Sequence, residues 1–211
     1  MELGITNWLL NTATISLLCL GFTGCGSGEA LPLATLDELD KGDDGLRLKT
    51  TGELYSGYLV EYYAGADTNQ LRSRSLIRNG KLNGLSEGWH NDGQQQVTEM
   101  FIDGKSHGVR VKWHTNGVKQ AEDTIEHGKL SGLCMKWYDN GQLAEEMTMV
   151  NGQADGLARS WHEDGSQKGE VRLEMGQVVE QKFWDKGKKP ANTELAKDNG
   201  KEVPESKNIT N

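Results

Sequence analysis

From Lys81 onward the apolar positions of this chain recur with a step of 24 residues. Trp89, Trp113, Trp137 and Trp161 keep that step, and Leu85, Val109, Leu133 and Leu157 precede them by four positions. A second set, Phe101, Ile125, Met149 and Leu173, follows the same spacing. Leu or Val and Trp, four apart, fall on one face of an extended strand. Glycines punctuate the pattern: Gly80, Gly104, Gly128 and Gly152 form one column, Gly84, Gly108, Gly132 and Gly156 a second, and Gly93, Gly117, Gly141 and Gly165 a third. One period therefore reads G-x-x-x-G-x-x-x-x-W-x-x-[ND]-G. It contains two turn signals, of the Asn79-Gly80 and Asp92-Gly93 kind, both made of residues that tolerate positive φ in tight hairpins. Two turns per period give two strands per period, so the fold class is all-β: an open, single-layer antiparallel sheet of consecutive hairpins.

Such a ribbon places equivalent residues of successive repeats about 10 Å apart. Composition agrees with an extended sheet, since only 35% of residues are hydrophobic and 27 are glycine. Charge reinforces the pairing. First strands carry Arg110, Lys112, Lys136 and Arg159, second strands Glu99, Glu122, Asp123, Glu145, Glu146 and Glu170. Neighbouring strands thus meet with opposite sign, each pair contributing about 0.2–1 kcal/mol. The tryptophans are expected to pack on Leu85, Val109, Leu133, Leu157 and the Phe101 column as the interior the repeats require. Their alternative use is a flat aromatic platform for an extended glycan or peptide, and the other face of the sheet is a second possible binding surface.

The ends of the array are degenerate, as terminal repeats are. Gly52, Gly57 and Tyr62 imitate the motif upstream with three residues inserted near Gly65–Asn69, while Gly176 and Trp184 continue it one residue short. Residues 49–188 form the repeat region, and the polar stretch 189–211 reads as a disordered tail. At the N-terminus, residues 1–24 read as a signal peptide whose apolar centre, Ile15 to Phe22, is too short to span a bilayer. Its ending, Phe22-Thr23-Gly24-Cys25, resembles the bacterial lipoprotein signal, which implies that Cys25 is lipidated. Residues 25–48, rich in Asp37, Glu38, Asp40, Asp43 and Asp44, then serve as an acidic linker that holds the repeats off a membrane. After loss of Cys19 and lipidation of Cys25, Cys134 stands alone, so no intramolecular disulfide is expected.

Residues 52–187, with their Gly-x-x-x-Gly openings, first-strand Trp and Asn-Gly or Asp-Gly turns, resemble the MORN-repeat variant family of the kind found in bacterial proteins of the YwqK type. The resemblance implies a row of β-hairpins, and members of that kind are commonly labelled antitoxins. Catalysis is not expected. The chain offers no nucleophile elbow, zinc-protease motif or phosphate loop. His90, His114 and His162 form a column with Tyr138, but rings about 10 Å apart cannot share a metal bonded at about 2 Å; a solvated or stacking row is expected, with no cofactor. The net charge of −8 opposes nucleic-acid binding. These readings converge on a non-enzymatic binding or scaffolding module of the bacterial cell envelope, lipid-anchored to a membrane, with an unidentified protein or glycan partner. A secreted or periplasmic location is the alternative; a toxin-neutralising role and a glycan-binding role are the other functions considered.

Overall fold

The computed structural model describes residues 30–65 and 70–187. The expected signal peptide, Cys25 and the tail 189–211 lie outside them. In chain order the strands are β1 (Leu33–Ala34), β2 (Leu39–Lys41), β3 (Leu46–Leu48), β4 (Gly57–Tyr62), β5 (Leu71–Arg78), β6 (Lys81–Trp89), β7 (Gln95–Ile102), β8 (Lys105–Ser106) and β9 (Gly108–Trp113). They continue as β10 (Lys119–Glu126), β11 (Lys129–Trp137), β12 (Leu143–Val150), β13 (Gln153–Ala154), β14 (Gly156–Trp161), β15 (Gln167–Glu174) and β16 (Gln177–Phe183). Strands β4 to β16 form one open antiparallel sheet in chain order, with β8 and β13 as the detached first halves of β9 and β14. β1 adds to β4 in parallel, and β2 with β3 makes a separate two-stranded sheet. The only helix among the described residues is a single 3-10 turn at Leu36–Glu38.

The two turn columns are physically different. At one edge both central residues have positive φ, as in Asn79 (47°) with Gly80 (75°) and Asp103 (48°) with Gly104 (78°), which is the type I′ geometry whose twist suits a two-residue hairpin. At the other edge Gly93 alone is left-handed (86°), while the Asp92 carboxylate accepts the Gln94 N–H at 2.9 Å. Asn116, Asn140 and Asp164 make the same contact in later repeats. The acidic or amide residue is there for its side-chain acceptor and not for tolerance of positive φ. The type I′ turns also join repeats: the N–H of Gly104 donates to the Leu82 carbonyl at 2.7 Å, and Gly128, Gly152 and Gly176 do likewise to Ser106, Leu130 and Ala154.

Residues 31–48 are not the tether expected from their charge. Leu31, Leu33 and Leu36 stay exposed, but Ala34 and Leu39 are buried with Tyr55 and Ile77, the last only 1% exposed, while Leu46, Leu48, Leu59 and Leu82 close around them. Asp44 meanwhile points outward and pairs with Arg47 at 2.6 Å. The Tyr55 hydroxyl fixes this cap by sharing its one proton between the carbonyls of Pro32 and Tyr58, each at 2.9 Å. The main hydrophobic cluster of the described residues is this cap against the first repeats.

Candidate binding faces

Strand register sorts the side chains onto two faces, because directly paired residues project to the same side. Leu85 pairs with Met100, whereas Phe101 pairs with Gly84. The same holds for Ile125 with Gly108, Met149 with Gly132 and Leu173 with Gly156. The Phe101 column therefore lies on the face opposite the tryptophans and cannot form an interior with them. Nor do the leucines bury the indoles: Leu85, Val109 and Leu133 are 42%, 52% and 46% exposed, and the four repeat tryptophans are half-buried. The expected sealed interior is instead an open apolar stripe, to which Met100 adds. A single-layer sheet has no second layer to cover it, which is the physical reason.

Beside the stripe runs a charged row. Arg74 holds Glu87 at 2.6 Å, and Arg159 sits between Glu146 at 3.0 Å and Glu170 at 3.3 Å. The Arg159 guanidinium is held further toward its charged form by Glu146 first and by Glu170 as well. Cations also reach the rings: Lys119 Nζ lies 5.1 Å from the centre of Trp137, and Arg74 lies 6.0 Å from that of Trp89. Such contacts contribute about 0.5–1 kcal/mol where exposed.

The opposite face carries Arg110, bonded to Asp123 at 2.7 Å and near Glu99 at 3.6 Å, and Lys136, bonded to Glu145 at 2.8 Å. Cross-strand pairs of opposite sign were thus legible from the charge columns. Cys134 is buried between them, and its thiol is pushed up by burial first and by the Asp123 carboxylate second. An open groove of about 470 Å³ lies instead at the ends of β7 and β9, lined by His90, Val97, Lys112, Trp113 and His114 among others.

The histidine column has a structural task that its spacing alone did not reveal. His90 Nε2 lies 3.1 Å from the carbonyl oxygen of Trp113, His114 Nε2 2.9 Å from that of Trp137, and His162 Nε2 3.3 Å from that of Trp184. Tyr138 and Tyr63 donate their hydroxyls to the carbonyls of Trp161 and Trp89 at 2.9 and 2.7 Å. Every member is a ring with a hydrogen-bonding tip directly after the aromatic column, and that shared property was the available signal. These rings are struts between repeats and not a solvated row. No group of three or more His, Cys, Asp or Glu among the described residues is placed to hold a metal ion.

Trp89, Trp113, Trp137 and Trp161 are the last residues of their strands, and Gly80, Gly104, Gly128 and Gly152 take the left-handed turn position. No curated protein matches the sequence. Residues 130–151 span the β11–β12 hairpin almost from end to end, and the hairpins on either side repeat its turns and struts at the same period. That hairpin matches the family model described as the MORN repeat variant, a repeat whose family points to a binding or scaffolding module.

Proposed function

We propose that this protein is a non-enzymatic module of the bacterial cell envelope, anchored through lipid on Cys25, that binds a protein partner along its tryptophan face. The observation that carries the binding assignment is the stripe of Leu85, Met100, Val109 and Leu133, each more than two-fifths exposed and repeated on one face. Scattered exposed leucines are ordinary, but a row repeated at one level of the sheet, interrupted by Thr124 between Val109 and Leu133 and rimmed by Arg74, Glu87 and Arg159, has the apolar centre and polar border of a recognition surface. A protein partner suits this face better than a glycan, because Lys119 and Arg74 already lie over two of the ring faces a sugar would need. Support for the anchor comes from the ending Phe22-Thr23-Gly24-Cys25 behind a short apolar stretch. The described residues contain no helix long and apolar enough to cross a membrane.

Two measurements test this reading. Cys25→Ser should move the protein from the membrane fraction to the soluble one, since several acyl chains anchor firmly at about 0.8 kcal/mol per buried methylene; a variant that still sediments with membranes overturns the anchor. The triple change of Leu85, Val109 and Leu133 to Ser should abolish retention of envelope proteins on the immobilised repeats while leaving the melting temperature within a few degrees. Unchanged retention overturns the assignment of this face.

A further inference from the structure

The two ends of the sheet are finished differently. At the first end, β1 covers some of the outer edge of β4, and residues 31–55 close over the apolar cluster. At the last end, β16 pairs with β15 on one side, and no described residue pairs with its other side. All seven residues of β16 are exposed, Phe183 at 66% and Val179 at 50%. An extended strand with an unpaired row of N–H and C=O groups is a template for another strand.

We propose that β16 pairs antiparallel with β16 of a second copy of this chain, about a twofold axis through Gln181. Its own sequence, Gln177-Val-Val-Glu-Gln-Lys-Phe183, selects this partner and register. In a twofold antiparallel pair a residue whose backbone groups point outward must meet another that does the same, so the axis passes through a residue and not between two. An axis at Glu180 sets two glutamates face to face, and one at Lys182 sets two lysines face to face. The axis at Gln181 instead sets Glu180 against Lys182 of the second copy, twice, and Val179 against Phe183, twice. Within one chain Glu180 and Lys182 already lie 3.0 Å apart and more than half exposed, free to re-pair across the axis. The shift in register beside Val179 confines the straight pairing to the segment from there to Phe183.

The full-length chain should sediment as a dimer at micromolar concentration. Glu180→Lys and Lys182→Glu should each weaken association by about tenfold or more, because two attractive pairs become two repulsive ones. Mixing the two variants should restore dimers, since each mixed pair is again of opposite sign. Gln181→Cys should form an interchain disulfide on mild oxidation, its Cα atoms falling about 4.5–5.5 Å apart, whereas Lys182→Cys should not. Melting curves monitor folding, and the disulfide measurement still reads the pairing if a charge variant unfolds. A monomeric wild type, charge variants that associate like wild type, or a Gln181→Cys variant that forms no interchain disulfide would overturn the proposal.

Discussion

Met175 stands at the first central position of a type I′ turn, with φ of 49° and a side chain 76% exposed. The equivalent residues Asn79, Asp103 and Asn151 are of the kind that adopts this conformation with little strain, whereas a left-handed methionine costs roughly 1–2 kcal/mol. Met175→Asn should therefore stabilise the chain by about 1 kcal/mol, raising the melting temperature by about 2–4 °C; a calorimetric scan that shows no rise would contradict it. Tyr138→Phe tests the struts at the same scale. It keeps the ring and removes the bond to the Trp161 carbonyl, so unfolding in urea should show a loss of about 1 kcal/mol. A solvated column would show none. Cys134 offers a third measurement. Burial and Asp123 both oppose its thiolate, so the folded chain should resist alkylation at neutral pH and react once urea has unfolded it, as followed by mass spectrometry.

At the scale of the hairpin, much was legible because period and turn chemistry are local. The repeated Asn-Gly and Asp-Gly dipeptides placed the turns, and Arg110 facing Asp123 was readable from charge columns alone. What escaped depends on neighbours. Gly84, Gly108, Gly132 and Gly156 mark the positive-φ positions of the first strands, yet which face Phe101 takes follows only from its pairing with Gly84, a choice made by register. Gly84 itself, at φ of 125°, would place a Cβ 2.6 Å from the Leu76 side chain. The cap was hidden for a different reason: five acids between Asp37 and Asp44 masked leucines whose partners, Tyr55 and Ile77, are remote in sequence. Trp137 has strands on both sides, whereas Trp184 follows the last one. Trp137→Ala should thus cost about 2 kcal/mol or more, below the roughly 3–5 kcal/mol of a fully buried tryptophan, and more than Trp184→Ala. Equal losses in thermal unfolding would argue against cooperation between neighbouring hairpins.

Across the whole repeat array, stability is unevenly spread. The cap and first repeats share a compact apolar cluster, while β16 is fully exposed in the single chain, so opening of a monomer should begin at the last hairpin. Tyr55→Phe should reverse some of that order by removing the hydroxyl that ties the Pro32 and Tyr58 carbonyls together, leaving Pro32 only its bond from the Tyr58 N–H, and hydrogen exchange should then quicken in β4 and β5 but not in β14. Unchanged exchange in β4 would show that the cap is held by its leucines alone.

The stitches described at the turns also decide how the array answers mechanical load. Because the strands lie side by side and their hydrogen bonds run along the row, tension applied between the first and last repeats pulls along those bonds and not across them. Bonds loaded in that direction break in succession instead of sharing the force. Stretching should then peel hairpins from the uncapped end in small steps, each releasing a repeat of 24 residues, and the array would yield gradually as a compliant spacer where a sheet loaded in shear would resist and then fail at once.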